Sequence, residues 1–103
     1  MYAVIRRYEG VDSSRTSEVT RTIKDEFVPM LTDMAGYHGY WVIEGDNDVI
    51  VTFGLFESPD DAEESSRMAA GFIKEHNLQD ALPNRPQVTA GRVTVAGRVH
   101  ALA

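Results

Sequence analysis

Gly36-Tyr37-His38-Gly39-Tyr40-Trp41-Val42-Ile43-Glu44, followed by Asp48 to Phe56, is the stretch whose reading decides the fold. Both runs are rich in β-branched and aromatic residues, and they read as strands over Tyr37–Glu44 and Asp48–Glu57. Gly45-Asp46-Asn47 joins them, and Asp and Asn tolerate the positive φ angles of tight hairpin turns. A helical pattern lies on each side of this hairpin.

Upstream, Val19, Ile23, Phe27, Leu31 and Met34 recur at three- and four-residue spacing and share one helical face. Pro29 lies inside that pattern and is expected to kink the helix or to tighten its last turn, with Gly36 ending it. Downstream, Ser58-Pro59-Asp60-Asp61 is a helix start: a capping serine, proline at the first helical position, and acids in the first turn. Ala62, Ser65, Met68 or Ala69, Phe72 and Ile73 mark the buried stripe of this second helix, which fades near His76-Asn77. Residues 2–9 read as a first strand. After the loop Leu82-Pro83-Asn84-Arg85-Pro86, the chain reads as β-rich from Gln87 to its end. A short repetition there, Ala90-Gly91-Arg92-Val93 and Ala96-Gly97-Arg98-Val99, would put Arg92, Thr94, Arg98 and His100 on one strand face. Residues 96–103 could instead form an arm over a neighbouring subunit.

The order is therefore β-α-β-β-α-β, a ferredoxin-like α+β arrangement. It implies a four-stranded antiparallel sheet with both helices on one face. At 103 residues the chain is read as one domain, 1–103. Val49, Val51, Phe53 and Leu55 oppose Ile50 and Phe56 in strand phase, so the sheet is apolar on both faces. A second copy packed sheet to sheet is the economical cover, which predicts a homodimer.

Composition narrows the function classes. The net charge of −6 and scattered distribution of ten basic residues disfavour nucleic acid and anionic membrane as partners. No apolar run is long enough to span a bilayer. Cysteine is absent, which removes disulfides, thiolate metal sites and a cysteine nucleophile. With no signal-peptide pattern after Met1, a cytoplasmic protein is expected. The three histidines are too dispersed to suggest a metal site, and no glycine-rich phosphate loop supports a nucleotide cofactor, so no cofactor is expected.

The order of elements, the Pro29-Met30-Leu31 ending of the first helix, the Gly-Tyr-x-Gly-Tyr-x-Val-Ile opening of the hairpin and Leu55-Phe56-Glu57-Ser58 before an acidic helix start resemble the antibiotic biosynthesis monooxygenase-like family. The resemblance spans roughly residues 1–95. It implies a dimeric α+β barrel and admits cofactor-independent oxygenases of aromatic polyketides, heme-degrading enzymes and members without an assigned activity. In the heme-degrading branch, the resemblance implies an Asn on the first strand, which here carries Arg6-Arg7, and a His early in the second helix, where Glu64-Ser65-Ser66-Arg67 stands. None of that branch's functional residues transfers.

A hairpin loop of two or four residues pairs Glu44 with Val49, Trp41 with Thr52, Gly39 with Gly54 and Tyr37 with Phe56. Two facing glycines would then open a gap walled by Tyr37, Trp41 and Phe56. Tyr37, Gly39, Trp41, Thr52, Gly54 and Phe56 are thus the candidate substrate-binding residues. His38, a potential base near neutral pH, together with Arg7 and Ser65, are the polar candidates for catalysis. An inward-pointing Arg6 or Arg7 would need a carboxylate or an anionic ligand, and an ion pair across the sheet is the structural expectation. His76 suits a helix C-terminus, and Asp60, Asp61, Glu63 and Glu64 suit a helix N-terminus. Two functions remain open: a cofactor-independent monooxygenase acting on an aromatic or polyketide-like small molecule, and a non-catalytic ligand-binding or structural dimer module.

Overall fold

The computed structural model describes residues 1–97. Its strands are β1 (Tyr2–Tyr8), β2 (Tyr37–Gly45), β3 (Val49–Phe56) and β4 (Gln87–Arg92), arranged as one antiparallel sheet in the order β2-β3-β1-β4. The helical elements are α1 (Thr16–Thr22), a π-helical turn (Ile23–Phe27), α2 (Val28–Thr32) and α3 (Pro59–Glu75). They cover one face of the sheet, where Val19, Ile23, Phe27, Leu31, Ala69 and Phe72 bury against Val4, Tyr8, Ile50 and Phe56. This is the ferredoxin-like α+β fold that the sequence predicts. No described helix is long and apolar enough to cross a membrane.

The first helix departs from expectation at Pro29. Its turn does not tighten. Instead, the five residues before α2 widen into a π turn, with the Val28 N–H bonding the Ile23 carbonyl. The four-residue spacing of Val19, Ile23, Phe27 and Leu31 gives the physical reason. On a regular α-helix each such step advances about 40° around the axis, so the stripe would rotate off the sheet. A wider turn absorbs that drift, and all four side chains stay buried. Pro29 then sits in the first turn of α2, where its missing N–H costs little. Gly36 lies in the turn before β2 rather than at the helix end, packed against Asp61.

The second helix begins as read. Ser58 Oγ accepts from the Asp61 N–H at 3.2 Å, and Pro59 follows as the first helical residue. It closes with Asn77 at φ 56 and the Leu78 N–H returning to the Ile73 carbonyl at 2.9 Å.

The hairpin register is the main correction. Gly45 pairs with Val49, so three residues form the loop, and Asn47 and Asp48 both take left-handed backbone at φ 59 and φ 60. Their short side chains make that conformation accessible, which lets Asp48 belong to the turn instead of the strand. The pairing consequently shifts by one residue: Glu44 faces Ile50, Trp41 faces Phe53, and Gly39 faces Leu55. A bulge at His38 restores Tyr37 to Phe56.

Because side chains alternate along a strand, the one-residue shift reverses the facial assignment. Gly39, Trp41 and Ile43 share the open face with Val51, Phe53 and Leu55, whereas Tyr40, Val42, Thr52 and Gly54 face the helices. Gly39 and Gly54 therefore do not oppose each other, and no common glycine gap exists. Each glycine is roofed by an aromatic two residues along its own strand, Gly39 by the Trp41 indole and Gly54 by the Phe56 ring. A Cβ at either position would press into that ring.

At the C-terminal end, the sheet strand stops at Arg92 instead of continuing to the chain end. The Val93 N–H bonds the Met1 carbonyl at 3.0 Å, and residues 93–97 are irregular. The expected face with Arg98 and His100, and most of the proposed 96–103 arm, lie outside the described residues.

Candidate functional site

The helix-facing side of the sheet places an unusual group in the interior. Arg6 pairs with Thr52 across β1 and β3, and Thr52 in turn pairs with Val42 beside Tyr40. Arg6 is only 2% exposed. Its neighbours on the same strand face are Val4 and Tyr8, which direct it inward, while Arg7 points to the opposite face. The expected ion pair across the sheet is absent: among the described residues Arg6 meets no carboxylate. Its Nη2 donates to Ser65 Oγ at 3.0 Å and to Ser66 Oγ at 2.9 Å, both from α3. The Ser65 hydroxyl donates in turn to the Ala62 carbonyl at 2.6 Å, which leaves its oxygen free to accept from Arg6.

Three polar atoms in this layer make no hydrogen bond of good geometry among the described residues, Arg6 Nε, Arg6 Nη1 and Thr52 Oγ1, although the Tyr40 hydroxyl lies near enough to Thr52 and Arg6 for both to pull its pKa down. An unsatisfied buried group costs about 1–3 kcal/mol, and more when charged. Buried groups of this kind take their remaining partner from ordered water, an ion or a ligand.

Two tyrosines complete the group. Burial pushes the Tyr8 phenol up from 10.0 to about 12, against a smaller opposing pull from the Arg6 cation. Burial likewise raises Tyr40, with the Thr52 hydroxyl and the Arg6 guanidinium offsetting part of the effect. Both phenols are therefore neutral near pH 7, donors rather than bases. Tyr8, Tyr40 and Thr52 line a small, partly open space of about 20 Å³ with Phe27 and Phe72. Arg6 and Tyr8 also line an outer cleft of about 310 Å³ between α3, the loop after it and β4. Phe27, packed edge-on to Tyr40 at 5.6 Å, fixes the phenol ring from the π turn.

The alkaline behaviour of Tyr8 is testable. The unfolded phenol ionises near 10.0 and the folded one near 12, so between those values the unfolded chain holds fewer protons and stability falls as pH rises. The contribution is complete below pH 10.0 and is lost as pH passes through about 12. It amounts to about 2–3 kcal/mol. Urea midpoints measured between pH ~9 and ~11.5 should drop in the native chain and flatten in Tyr8→Phe; equal slopes in the two proteins would refute it.

The sequence-based candidates disperse in three directions. Tyr37, Thr52, Gly54 and Phe56 face the helices, with Tyr37 and Phe56 rings 6.2 Å apart. Gly39 and Trp41 lie on the open face, where the Trp41 indole meets Phe53 edge-on at 5.4 Å. Among the catalytic candidates only Ser65 reaches the interior group. Arg7 is exposed and paired with Glu9 at 3.1 Å. His38 is exposed on edge strand β2, where Nε2 meets Glu57 Oε2 at 2.5 Å, and that contact lowers the Glu57 carboxyl's pKa. His76 stacks on Phe72 at 4.2 Å and pairs with Glu26 at 3.4 Å. Among the described residues no cluster of three or more potential ligands is placed to hold a metal ion.

Sequence reasoning weighed Arg6 only together with Arg7, as an inward arginine in need of a carboxylate or an anionic ligand, and did not single out Tyr8, Tyr40 or Ser66. The usable signal was strand alternation: Arg6 stands between Val4 and Tyr8, whereas Arg7 has Glu9 two residues on.

The architecture is that of a ferredoxin-like α+β protein with an uncompensated arginine beneath its helix layer. No protein-family profile and no curated sequence matches the chain. Solved structures do. A protein of unknown function from Nitrosomonas europaea superposes with TM-score 0.74 at 13% identity, over 95% of this chain and 93% of that one. A candidate antibiotic biosynthesis monooxygenase from the same organism gives TM-score 0.72 at 12% identity, covering 92% and 100%. The monooxygenase ActVA-Orf6 of Streptomyces coelicolor, solved in complex with nanaomycin D, gives 0.72 at 10% identity, covering 94% and 92%. The fold of this chain is the one found in antibiotic biosynthesis monooxygenase structures.

Proposed function

We propose that the chain is a cofactor-independent monooxygenase acting on an aromatic, polyketide-like small molecule bound between α3 and the sheet. The observation that carries this reading is the buried Arg6 guanidinium, whose Nε and Nη1 make no hydrogen bond among the described residues, in a layer it shares with two neutral tyrosines. A similar fold in a monooxygenase holding nanaomycin D supports the same substrate class.

In such a reaction the substrate supplies the electrons. An acidic ring hydroxyl or benzylic C–H loses its proton, and the resulting phenolate or enolate reduces dioxygen. One oxygen atom becomes a ring carbonyl and the other leaves as water, so that CH2 + O2 gives C=O + H2O. Arg6 would hold the oxyanion and lower the pKa of the hydroxyl that forms it. Tyr8 and Tyr40 would donate hydrogen bonds without competing for the proton. Among the described residues neither the cleft nor the inner space is lined by a carboxylate or a histidine, so the substrate's own acidity, raised by Arg6, drives ionisation. The same lack of a protein base favours the alternative of binding without turnover.

Oxygen uptake with hydroxyanthrone probes separates the two. Uptake that falls about 100-fold or more in kcat/KM in Arg6→Gln supports catalysis. Binding of the probes with no uptake supports the binding module.

We further propose that a second copy covers the open sheet face. Trp41 and Ile43 stand 51% and 54% exposed there, beside half-buried Val51, Phe53 and Leu55. An identical face packed at the usual sheet spacing of about 10 Å would remove this apolar surface from water. Trp41 would then belong to the dimer interface and not to the substrate pocket.

A further inference from the structure

The outer cleft has a charge pattern at odds with the chain that builds it. The protein carries 16 acidic and 10 basic residues, yet among the described residues no carboxylate lines the cleft, while Arg6 and Arg85 both do. Its volume of about 310 Å³ is at the lower end of small-ligand pockets, sufficient for a ligand of two or three fused rings. Ala69, Ile73, Leu82 and Val88 supply apolar walls. The two arginines differ in setting. Arg6 is buried at the inner wall, whereas Arg85 is exposed at the rim, and among the described residues it makes no ion pair.

The loop presenting Arg85 is restrained. Pro83 and Pro86 fix two of its φ angles, and the Asn84 Nδ2 donates to the Glu9 carbonyl at the end of β1 at 3.0 Å. That bond ties the rim to the strand bearing Arg6. Restraint of this kind reduces the ordering cost when a ligand arrives.

We propose that this cleft binds aromatic hydroxy acids, with the ring hydroxyl directed inward to Arg6 and the carboxylate held at the rim by Arg85. The inference rests on the preceding functional reading for the inner hydroxyl, and it adds the acid. A carboxylate is the group that a rim arginine without an internal partner recognises best. The walls match an apolar ring body. The surrounding net charge of −6 would repel an acid elsewhere on the surface, which makes a carboxylate-free cleft the favoured approach.

The test compares 6-hydroxy-2-naphthoate with its carboxamide by isothermal titration at low salt. The two have the same rings and hydroxyl and differ in charge. The acid should bind about fivefold tighter, as an exposed ion pair allows, and the preference should shrink in high salt. In Arg85→Gln, whose site is exposed and outside the core, the preference should vanish while carboxamide affinity stays unchanged. Equal binding of acid and amide, no binding of either, or a preference that survives Arg85→Gln would overturn the proposal. Oxygen uptake is read separately. An acid preference without uptake leaves this site standing and removes the oxygenase reading; uptake on neutral substrates with no acid preference does the reverse.

Discussion

Trp41→Asp combined with Ile43→Asp is expected to yield a folded monomer if the open sheet face is the proposed dimer interface. Both residues are more than half exposed in the single chain, so the substitutions remove little from its own core. In an isologous dimer each substitution occurs twice, so four large apolar contacts are lost and four carboxylates meet across the interface. At about 1–1.5 kcal/mol for each half-exposed side chain newly buried, the loss is about 4–6 kcal/mol, or roughly a thousandfold or more in dissociation constant. Sedimentation at micromolar concentration reads the outcome, with circular dichroism as the check on folding. A native chain that sediments as a monomer, or a double variant that remains a dimer, would remove the sheet face as the interface.

Phe27→Ala should be the most damaging single core truncation. Phe27 is 2% exposed and packs against Phe72 with ring centres 4.9 Å apart and against Tyr40 at 5.6 Å. Truncation loses the ring's transfer energy and leaves a cavity beside an inner space already present, for about 3–5 kcal/mol in all. Small domains have a total stability of about 5–15 kcal/mol, so a large share of it goes. The melting temperature should fall by about 15 °C or more. Because Phe27 belongs to the π turn and braces Tyr40, any binding of the hydroxyanthrone probes should weaken as well. Thermal unfolding that shifts by only a few degrees would show that the helix layer collapses onto the gap.

How far the sequence could be read depended on whether a feature was local. The α3 cap at Ser58-Pro59 and the buried stripe Ala62, Ser65, Ala69 and Phe72 follow from neighbours within a few turns and appear as expected, while Ile73, read as part of that stripe, is only half-buried. The order of elements and the sheet-facing stripe of Val19, Ile23, Phe27 and Leu31, with Met34 half-buried at its end, are similarly legible. The π turn was not, although its cause was visible in the strict four-residue spacing. The hairpin failed on a single residue. Whether Asp48 joins the strand or the turn depends on a left-handed backbone angle that Asp and Asn permit without requiring, and one step of register exchanges the two faces. This moved Trp41 away from Thr52 and Phe56 and dissolved the expected glycine gap.

The sequence by itself determined the β-α-β-β-α-β order, the position of the helices on one sheet face and the excess of apolar residues on both faces. These follow from periodicity and turn chemistry, which act along the chain. Only the tertiary structure decided which arginine is interior, that two serines of α3 and no carboxylate meet it, and that Arg85 shares its cleft. Arg6 and Ser65 are 59 residues apart, and nothing local specifies their contact. It arises because burying the apolar stripe of α3 against β1 carries Ser65 and Ser66 over Arg6, whose guanidinium then meets no counter-charge among the described residues.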